Sequence, residues 1–176
     1  MGLRSWFKKS EKSEAGGLAE ELGRRTGGQP LMRALSLLPP DVAFKHGLAS
    51  PAVAGVFRSD DLSPENFVPN RPFVEVLHRI IREQAPRLQG FEQAAREQGQ
   101  GSLSIIDLRT PEGPNGRVPP EDIVGAFAVA EGKASADTYV PNPNYHVFTK
   151  DGLTKLPEPL QRILVAELTR LTTGQH

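Results

Sequence analysis

The chain has 176 residues, with 21 basic and 21 acidic side chains and no cysteine. This length suits one domain, and the charge balance argues against a general nucleic-acid binder, because no net field would concentrate a polyanion. The absence of cysteine excludes disulfides, thiolate metal ligands and a cysteine nucleophile, and it fits a reducing compartment. We therefore expect a cytoplasmic protein, and the excess of arginine over lysine suggests a bacterial source.

The first 29 residues differ in character from the rest of the chain. They join a short basic and aromatic head to a glycine-bounded segment, and we expect a flexible tail over residues 1–29. An alternative is that residues 3–12 tether the domain to a membrane surface through Trp6 and Phe7, with neighbouring lysines facing the headgroups. From residue 30 to 176 we expect a single α+β domain.

Helical spacing dominates residues 30–99. Leu31, Leu35 and Leu38 recur every three or four residues before two prolines, which predicts a first core helix. The pairs Ser50-Pro51 and Ser63-Pro64 each place a capping residue before proline, which indicates short helices or turns.

The strongest helix signal lies over residues 72–84. Asn70 is positioned to cap this helix, and the apolar residues form one stripe: Phe73, Leu77, Ile80, Ile81 and Leu88. His78 lies off the stripe, so we expect a solvated surface histidine. A further helix over 87–98 should end at Gly99.

The second half changes to a period of two, which is typical of strands. Residues 102–109 predict a strand inside a sheet, and 122–140 predict a hairpin with Glu131 and Gly132 at its turn. The predicted cross-strand pairs are Phe127 with Ala136, Val129 with Ala134, Gly125 with Thr138 and Ile123 with Val140.

A second hairpin and a helix complete the prediction. Asp151-Gly152 between apolar runs indicates a tight turn, and a leucine stripe predicts a helix over about 157–171. The expected class is α+β: a helical N-terminal half over 30–99, then a mostly antiparallel meander sheet packed by a C-terminal helix over 102–171.

No sequence motif for a known catalytic or nucleotide-binding site is present. The segment YVPNPNYH nevertheless brings many hydrogen-bonding groups into eight residues, which could form a binding edge: Tyr139, Asn142, Asn144, Tyr145 and His146. The competing interpretation is structural, because asparagine beside proline forms turns that only redirect the chain.

Asp107 and Arg109 are the candidate charged site. Opposite charges two residues apart at a strand end predict an ion pair at the rim of the core, which is the structural interpretation. In the catalytic alternative, Asp107 meets His146 across neighbouring strands, His146 acts as the base, and Arg109 or Arg117 holds an anionic group.

These observations favour a protein-binding accessory or regulatory domain over an enzyme. The contact surface would combine the proline-rich loop 109–121 with the YVPNPNYH edge: Arg109, Arg117, Pro119, Tyr139, Asn142, Asn144, Tyr145 and His146. The alternative is a small hydrolase or isomerase that uses Asp107, Arg109 and His146. No metal site and no cofactor are expected, and the protein partner cannot be identified from the sequence.

Overall fold

A computed structural model describes residues 33–110 and 117–174. In these residues four α-helices accompany antiparallel sheets, which confirms a mixed α+β fold. The expected tail over 1–29 and the alternative tether at residues 3–12 lie outside the described residues.

The described chain divides into two compact units. The first unit contains residues 33–77, Val147–Leu153 and residues 163–174, and the second contains His78–His146 and Thr154–Arg162. We describe each by itself.

The first unit is built on a three-stranded antiparallel sheet in the order β1-β2-β3. Its strands are β1 at Ala34–Ser36, β2 at Val53–Phe57 and β3 at Phe67–Pro69. A short helix, α1, occupies Pro40–His46 between β1 and β2.

The prediction of a helical N-terminal half is wrong, because a strand replaces the first helix. Leucines at helical spacing can also be buried from a strand and the turn after it, and both Leu35 and Leu38 are buried here. Ser36 is buried too, and its hydroxyl donates a hydrogen bond to the Ala52 carbonyl at 2.7 Å. Pairing with β2 therefore decided the conformation of this segment.

The two Ser-Pro signals correspond to single 3-10 turns at Ser50–Ala52 and Pro64–Asn66. Each turn leads directly into a strand that the sequence did not reveal. The predicted Asp-Gly hairpin is present as β7, Phe148–Thr149, paired with β8, Gly152–Leu153.

The helix predicted over 72–84 is confirmed as α2, Arg71–Gln84. Four members of the predicted stripe, Phe73, Leu77, Ile80 and Ile81, are buried, whereas the fifth, Leu88, lies beyond the helix and is half-buried. Its N-terminus follows Asn70, whose carbonyl accepts the Val74 N–H, whereas the Asn70 side chain donates to Ser50 and Val53 carbonyls.

A 3-10 turn at Ala85–Arg87 separates α2 from the next helix, α3, which occupies Gln89–Gln98. Helix α3 ends at Gly99, where a φ of 71° suits glycine. The chain then enters the sheet of the second unit.

The sheet of the second unit is the predicted antiparallel meander, in the order β4-β5-β6. Its strands are β4 at Gly101–Ile106, β5 at Ile123–Val129 and β6 at Val140–Pro141. The central strand β5 is therefore paired on both sides, with long β4 and short β6.

The turn between β5 and β6 was placed correctly, but the pairing after it was not. Glu131 and Gly132 both have positive φ, at 53° and 73°, as a two-residue hairpin turn requires. A 3-10 turn at Ala136–Thr138 then interrupts the ladder. As a result Gly125 lies opposite Pro141 instead of Thr138.

The short strand β6 exposes one edge of this sheet. The Asn142 N–H donates to the Val124 carbonyl at 3.0 Å, so that pair carries a ladder hydrogen bond. Because ladder bonds alternate along an antiparallel pair, the main chain at Pro141 and Tyr139 faces away from β5.

The last helix, α4, occupies Glu158–Thr173, close to its predicted bounds. Leu160, Leu164 and Leu168 along its stripe are fully buried. Among the helices in the described part of the chain, none has the length and apolar character needed to cross a membrane.

Candidate functional site

Asp107 stands at the centre of a buried polar cluster, directly after β4. Its side chain is fully buried. One carboxylate oxygen, Oδ1, accepts the Arg109 N–H at 3.0 Å, and the other, Oδ2, accepts the Tyr145 hydroxyl at 2.7 Å. The Lys155 N–H donates to both oxygens at 3.1–3.2 Å. The carboxylate thus receives hydrogen bonds from three separate parts of the chain.

Arg109 lies between two buried carboxylates. Its Nε donates to Asp122 Oδ1 at 2.9 Å and lies 3.7 Å from Asp107 Oδ2. One terminal nitrogen donates to the main-chain carbonyls of Glu121 and His146. The predicted Asp107–Arg109 ion pair is present, but it is buried inside the unit and has Asp122 as a second acidic member.

Burial dominates the electrostatics of this cluster. Loss of water raises the pKa of Asp107 to about 6, although Arg109 and the hydrogen bond from Tyr145 act in the opposite direction. Burial also raises the pKa of Tyr145 well above its usual value, helped by the negative charge of Asp107. The Tyr145 hydroxyl therefore stays protonated and remains a donor.

The cluster fastens the two ends of the proline-rich loop to each other and to Tyr145, His146 and Lys155. The Asp107 N–H donates to the Asp122 carbonyl at 2.8 Å, and the His146 N–H donates to the Glu121 carbonyl at 3.1 Å. The Tyr145 hydroxyl also lies 2.8 Å from the Thr154 hydroxyl. These polar groups are satisfied by one another, which is the arrangement of a structural network.

The structure joins His146 to this cluster through its main chain. Residue 146 is exposed, while its carbonyl and N–H are engaged with Arg109 and Glu121. The hydroxyl beside the Asp107 carboxylate belongs to Tyr145, the neighbour of His146. Asp107, Arg109 and Tyr145 are therefore brought together by their side chains, and His146 by its backbone.

Asn142 and Asn144 form the turn that the structural interpretation expected. The side-chain NH2 group of Asn142 donates to the Pro120 and Ile123 carbonyls, each at 2.8 Å. The side-chain oxygen of Asn142, Oδ1, accepts the Asn144 N–H at 3.1 Å. Asn144 itself is exposed. Asn142 thus clamps the turn onto the start of β5.

Tyr139, another residue of the expected contact surface, is buried against His78. The Tyr139 hydroxyl and His78 Nδ1 are 2.6 Å apart, and Arg82 lies over the tyrosine ring at 5.8 Å. Burial and the charge of Arg82 lower the pKa of His78 to about 4. His78 is therefore half-buried and neutral near pH 7, and the expectation of a solvated histidine is wrong.

The remaining residues of the expected contact surface lie near the protein surface. Arg117 is exposed and Pro119 is half-buried, at the start of the segment that leads into β5. Val140 on β6 is 65% exposed, the highest value among the large apolar residues described as exposed. The sequence predicted Val140 opposite Ile123, whereas the register of β6 places it opposite Ala126.

Three members of the buried cluster were not expected from the sequence. Asp122, Thr154 and Lys155 are 15 to 48 residues from Asp107 along the chain. The only available signal was Asp122, an acidic residue between prolines and a strand, and this pattern is equally typical of a capping position.

A separate groove lies between α3 and the chain after the β5 turn. It has a volume of about 310 Å³. The lining residues are Pro86, Phe91, Glu92, Ala95, Arg96, Gly132, Lys133 and Ala134. None of these residues belongs to the Asp107 cluster.

Residues 33–110 and 117–174 contain no group of three or more acidic or histidine side chains suited to holding a metal ion. No family model, curated protein or solved structure matches this chain.

Proposed function

We propose that the protein is a protein-binding accessory module whose contact surface is the corner formed by residues 140–146. The observation that carries this proposal is the contrast between the two sides of the corner. Its inner side is fastened by Asn142, by the Tyr145 hydroxyl and by the main chain of His146. Its outer side carries exposed Val140, Asn144 and His146.

A corner held in this way suits recognition because little conformational freedom remains to be lost on binding. Ordering a flexible loop costs about 1–2 kcal/mol per residue in backbone entropy. In residues 142–146 that cost is met during folding by hydrogen bonds to Pro120, Glu121 and Ile123. A partner would meet a surface that is already arranged.

The exposed side chains of the corner also have a suitable character. Val140 offers an apolar contact, and Asn144 and His146 offer hydrogen-bonding groups beside it. An apolar centre with polar neighbours is the usual composition of a small protein interface. Arg117 and Pro119 extend this surface in the proposal.

The alternative hydrolase or isomerase finds less support in this geometry. Its acid, Asp107, is fully buried and receives hydrogen bonds from Arg109, Tyr145 and Lys155. A substrate would have to displace these contacts before reaching the carboxylate. The same contacts are useful to a binding module, since they hold the corner in place.

Site-specific photo-crosslinking tests the proposal. A benzophenone amino acid is placed at Val140 or at Asn144, and as a matched control at Gln93, which is exposed on α3 in the same unit. Irradiation in the source cells should give one discrete adduct from positions 140 and 144 and none from 93. Adducts of equal yield from all three positions, or none from 140 and 144, would contradict the proposal.

Binding of the captured protein in purified form gives the second measurement. Val140→Asp and His146→Ala should each weaken it about tenfold or more, with thermal unfolding unchanged, because both side chains are outside the core. Unchanged affinity in both variants would exclude the corner as the interface.

A further inference from the structure

Contacts of Gly132 with the end of α3 fix one wall of the groove to the other. Gly132 lies so close to α3 that an added Cβ would be 3.3 Å from the Arg96 Cα atom. The Gly132 N–H donates to the Gly99 carbonyl at 2.8 Å, just past the end of the helix. The two walls are therefore fixed to each other at one end.

The floor of the groove is apolar and its side chains are small or buried. Phe91 and Ala95 face it from α3 with 1% and 2% of their surfaces exposed, and Ala134 faces it from the other wall. Pro86 closes the end near the start of α3. Because Phe91 and Ala95 are almost wholly covered, the apolar side chains open to a ligand are the half-buried Pro86 and Ala134.

The charges at the groove are arranged unevenly along it. Arg96 lines the groove from α3 and Lys133 lines it from the other wall, and both residues are exposed. The Arg96 guanidinium also donates to Gln93 Oε1 at 3.1 Å, and Glu92 precedes Arg96 by one helical turn, about 6 Å along the axis. Two cations and one carboxylate give the lining a net positive charge, which attracts an anionic group.

We propose that this groove binds a small aromatic organic acid, with its anionic group between Arg96 and Lys133 and its apolar body against Pro86 and Ala134. The volume of about 310 Å³ lies at the lower end of the range for small-molecule sites. This ligand site is independent of the surface at 140–146, so either proposal can fail without the other.

The test uses a matched pair of fluorescent probes with the full-length protein. The anionic probe is 8-anilinonaphthalene-1-sulfonate, and the control is N-phenyl-1-naphthylamine, which has the same ring system without the sulfonate. The folded protein should bind the anionic probe at one site and at least fivefold more tightly than the neutral probe. Equal affinity for the two probes would overturn the proposal.

Four variants locate the binding. Arg96→Gln and Lys133→Gln should each weaken the anionic probe roughly three- to tenfold and leave the neutral probe unchanged. Ala134→Leu should weaken both probes, because the added side chain occupies the groove. Arg162→Gln, an exposed arginine of the same unit that does not line the groove, is the control and should change neither.

The result that excludes the groove is a double variant, Arg96→Gln with Lys133→Gln, that binds the anionic probe as tightly as the wild type. Cooperative thermal unfolding of every variant must be verified first, because partly unfolded protein binds the same dye. Both lining cations are solvent-exposed, so these substitutions should leave the fold intact.

Discussion

Replacement of Asp107 by asparagine should change how the stability of the second unit depends on pH, while leaving the fold intact. In the wild type, Asp107 Oδ1 accepts the main-chain N–H groups of Arg109 and Lys155, and the side-chain oxygen of asparagine can accept the same two groups. The new amide can donate to the Tyr145 oxygen, and the Tyr145 hydroxyl can in turn donate to Thr154, 2.8 Å away. Arg109 keeps its ion pair with Asp122 at 2.9 Å.

The magnitude follows from the pKa of Asp107, which burial raises from 3.8 to about 6. Between these two pH values the folded protein holds the Asp107 proton more tightly than the unfolded chain does. The contribution of Asp107 to the free energy of unfolding therefore increases as the pH falls through 6 and is smallest above it. A difference of about 2 in pKa corresponds to about 3 kcal/mol at most, at about 1.36 kcal/mol for each unit, and this value is reached in full only below pH 3.8.

Asparagine has no proton to gain, so the Asp107→Asn variant should lack this contribution. Relative to the wild type, the variant should be about 2 kcal/mol more stable at pH 7 than at pH 4, because Asp107 of the unfolded chain also begins to bind its proton near pH 4. Its absolute stability at pH 7 should be close to that of the wild type or above it, because one uncompensated buried charge has been removed.

Denaturant unfolding at pH 7, 5.5 and 4 measures this difference. Both tyrosines of the chain, Tyr139 and Tyr145, lie in the second unit, so near-ultraviolet circular dichroism follows that unit in a Trp6→Phe background. Asp151→Asn, an exposed aspartate elsewhere in the chain, is the control. If wild type and Asp107→Asn have parallel pH profiles, Asp107 does not titrate in this range and the reasoning fails.

Three other substitutions probe the same unit. Arg109→Met leaves two buried carboxylates without their shared cation, so the free energy of unfolding in a urea titration should fall by about 3–5 kcal/mol. A fall of less than about 1 kcal/mol would show that the ion pairs contribute little to stability. Gly125→Ala places a Cβ 2.5 Å from the Tyr139 hydroxyl, which should lower the free energy of unfolding by about 2–3 kcal/mol. The double variant Gly125→Ala with Tyr139→Leu should recover part of this loss, and no recovery would show that the strain lies elsewhere. In the wild type, stability should fall by about 1–2 kcal/mol as the pH drops from 6.5 to 4, because His78 has a higher pKa in the unfolded chain and binds its proton there first; partial exposure of His78 keeps this value small. The His78→Gln variant should lack this loss. A calorimetric pH profile identical to that of the wild type would contradict this prediction.

Asp107 and His78 have opposite effects in the acid range, so their contributions to the stability of the wild type should partly cancel between pH 4 and 6. The Asp107 contribution increases stability as the pH falls, and the His78 contribution decreases it. The two single variants should therefore diverge in this range, with Asp107→Asn losing stability in acid and His78→Gln gaining it.

Local patterns predicted those elements whose structure depends on neighbours in the chain. The stripe from Phe73 to Ile81 permits one buried helix, and Asp151-Gly152 and Glu131-Gly132 specify tight turns through their backbone preferences. In the window from Leu31 to Leu38, by contrast, helix and strand both bury leucines. Pairing with Val53–Phe57 stabilises the strand over the helix, and the sequence of the segment itself does not indicate this pairing.

The candidate site was predictable only in its first two members. Asp107 and Arg109 are two residues apart at the end of a strand, so their ion pair could be read from spacing. Their contacts with Asp122 and Tyr145 depend on the register of β5 and on the turn at Asn142. His78 and Tyr139 are 61 residues apart, and no periodic pattern connects them.

Pro141 protects the outer edge of β6 against pairing with another strand. Proline has no N–H, and the Tyr139 N–H is already donated to the Ala136 carbonyl at 3.2 Å. At these two outward-facing positions β6 therefore has no donor for an incoming strand, and edge-to-edge association between copies is discouraged there. A partner that contacts Val140 meets no available main-chain N–H at positions 139 and 141, so recognition at the corner depends more on side chains than on strand pairing.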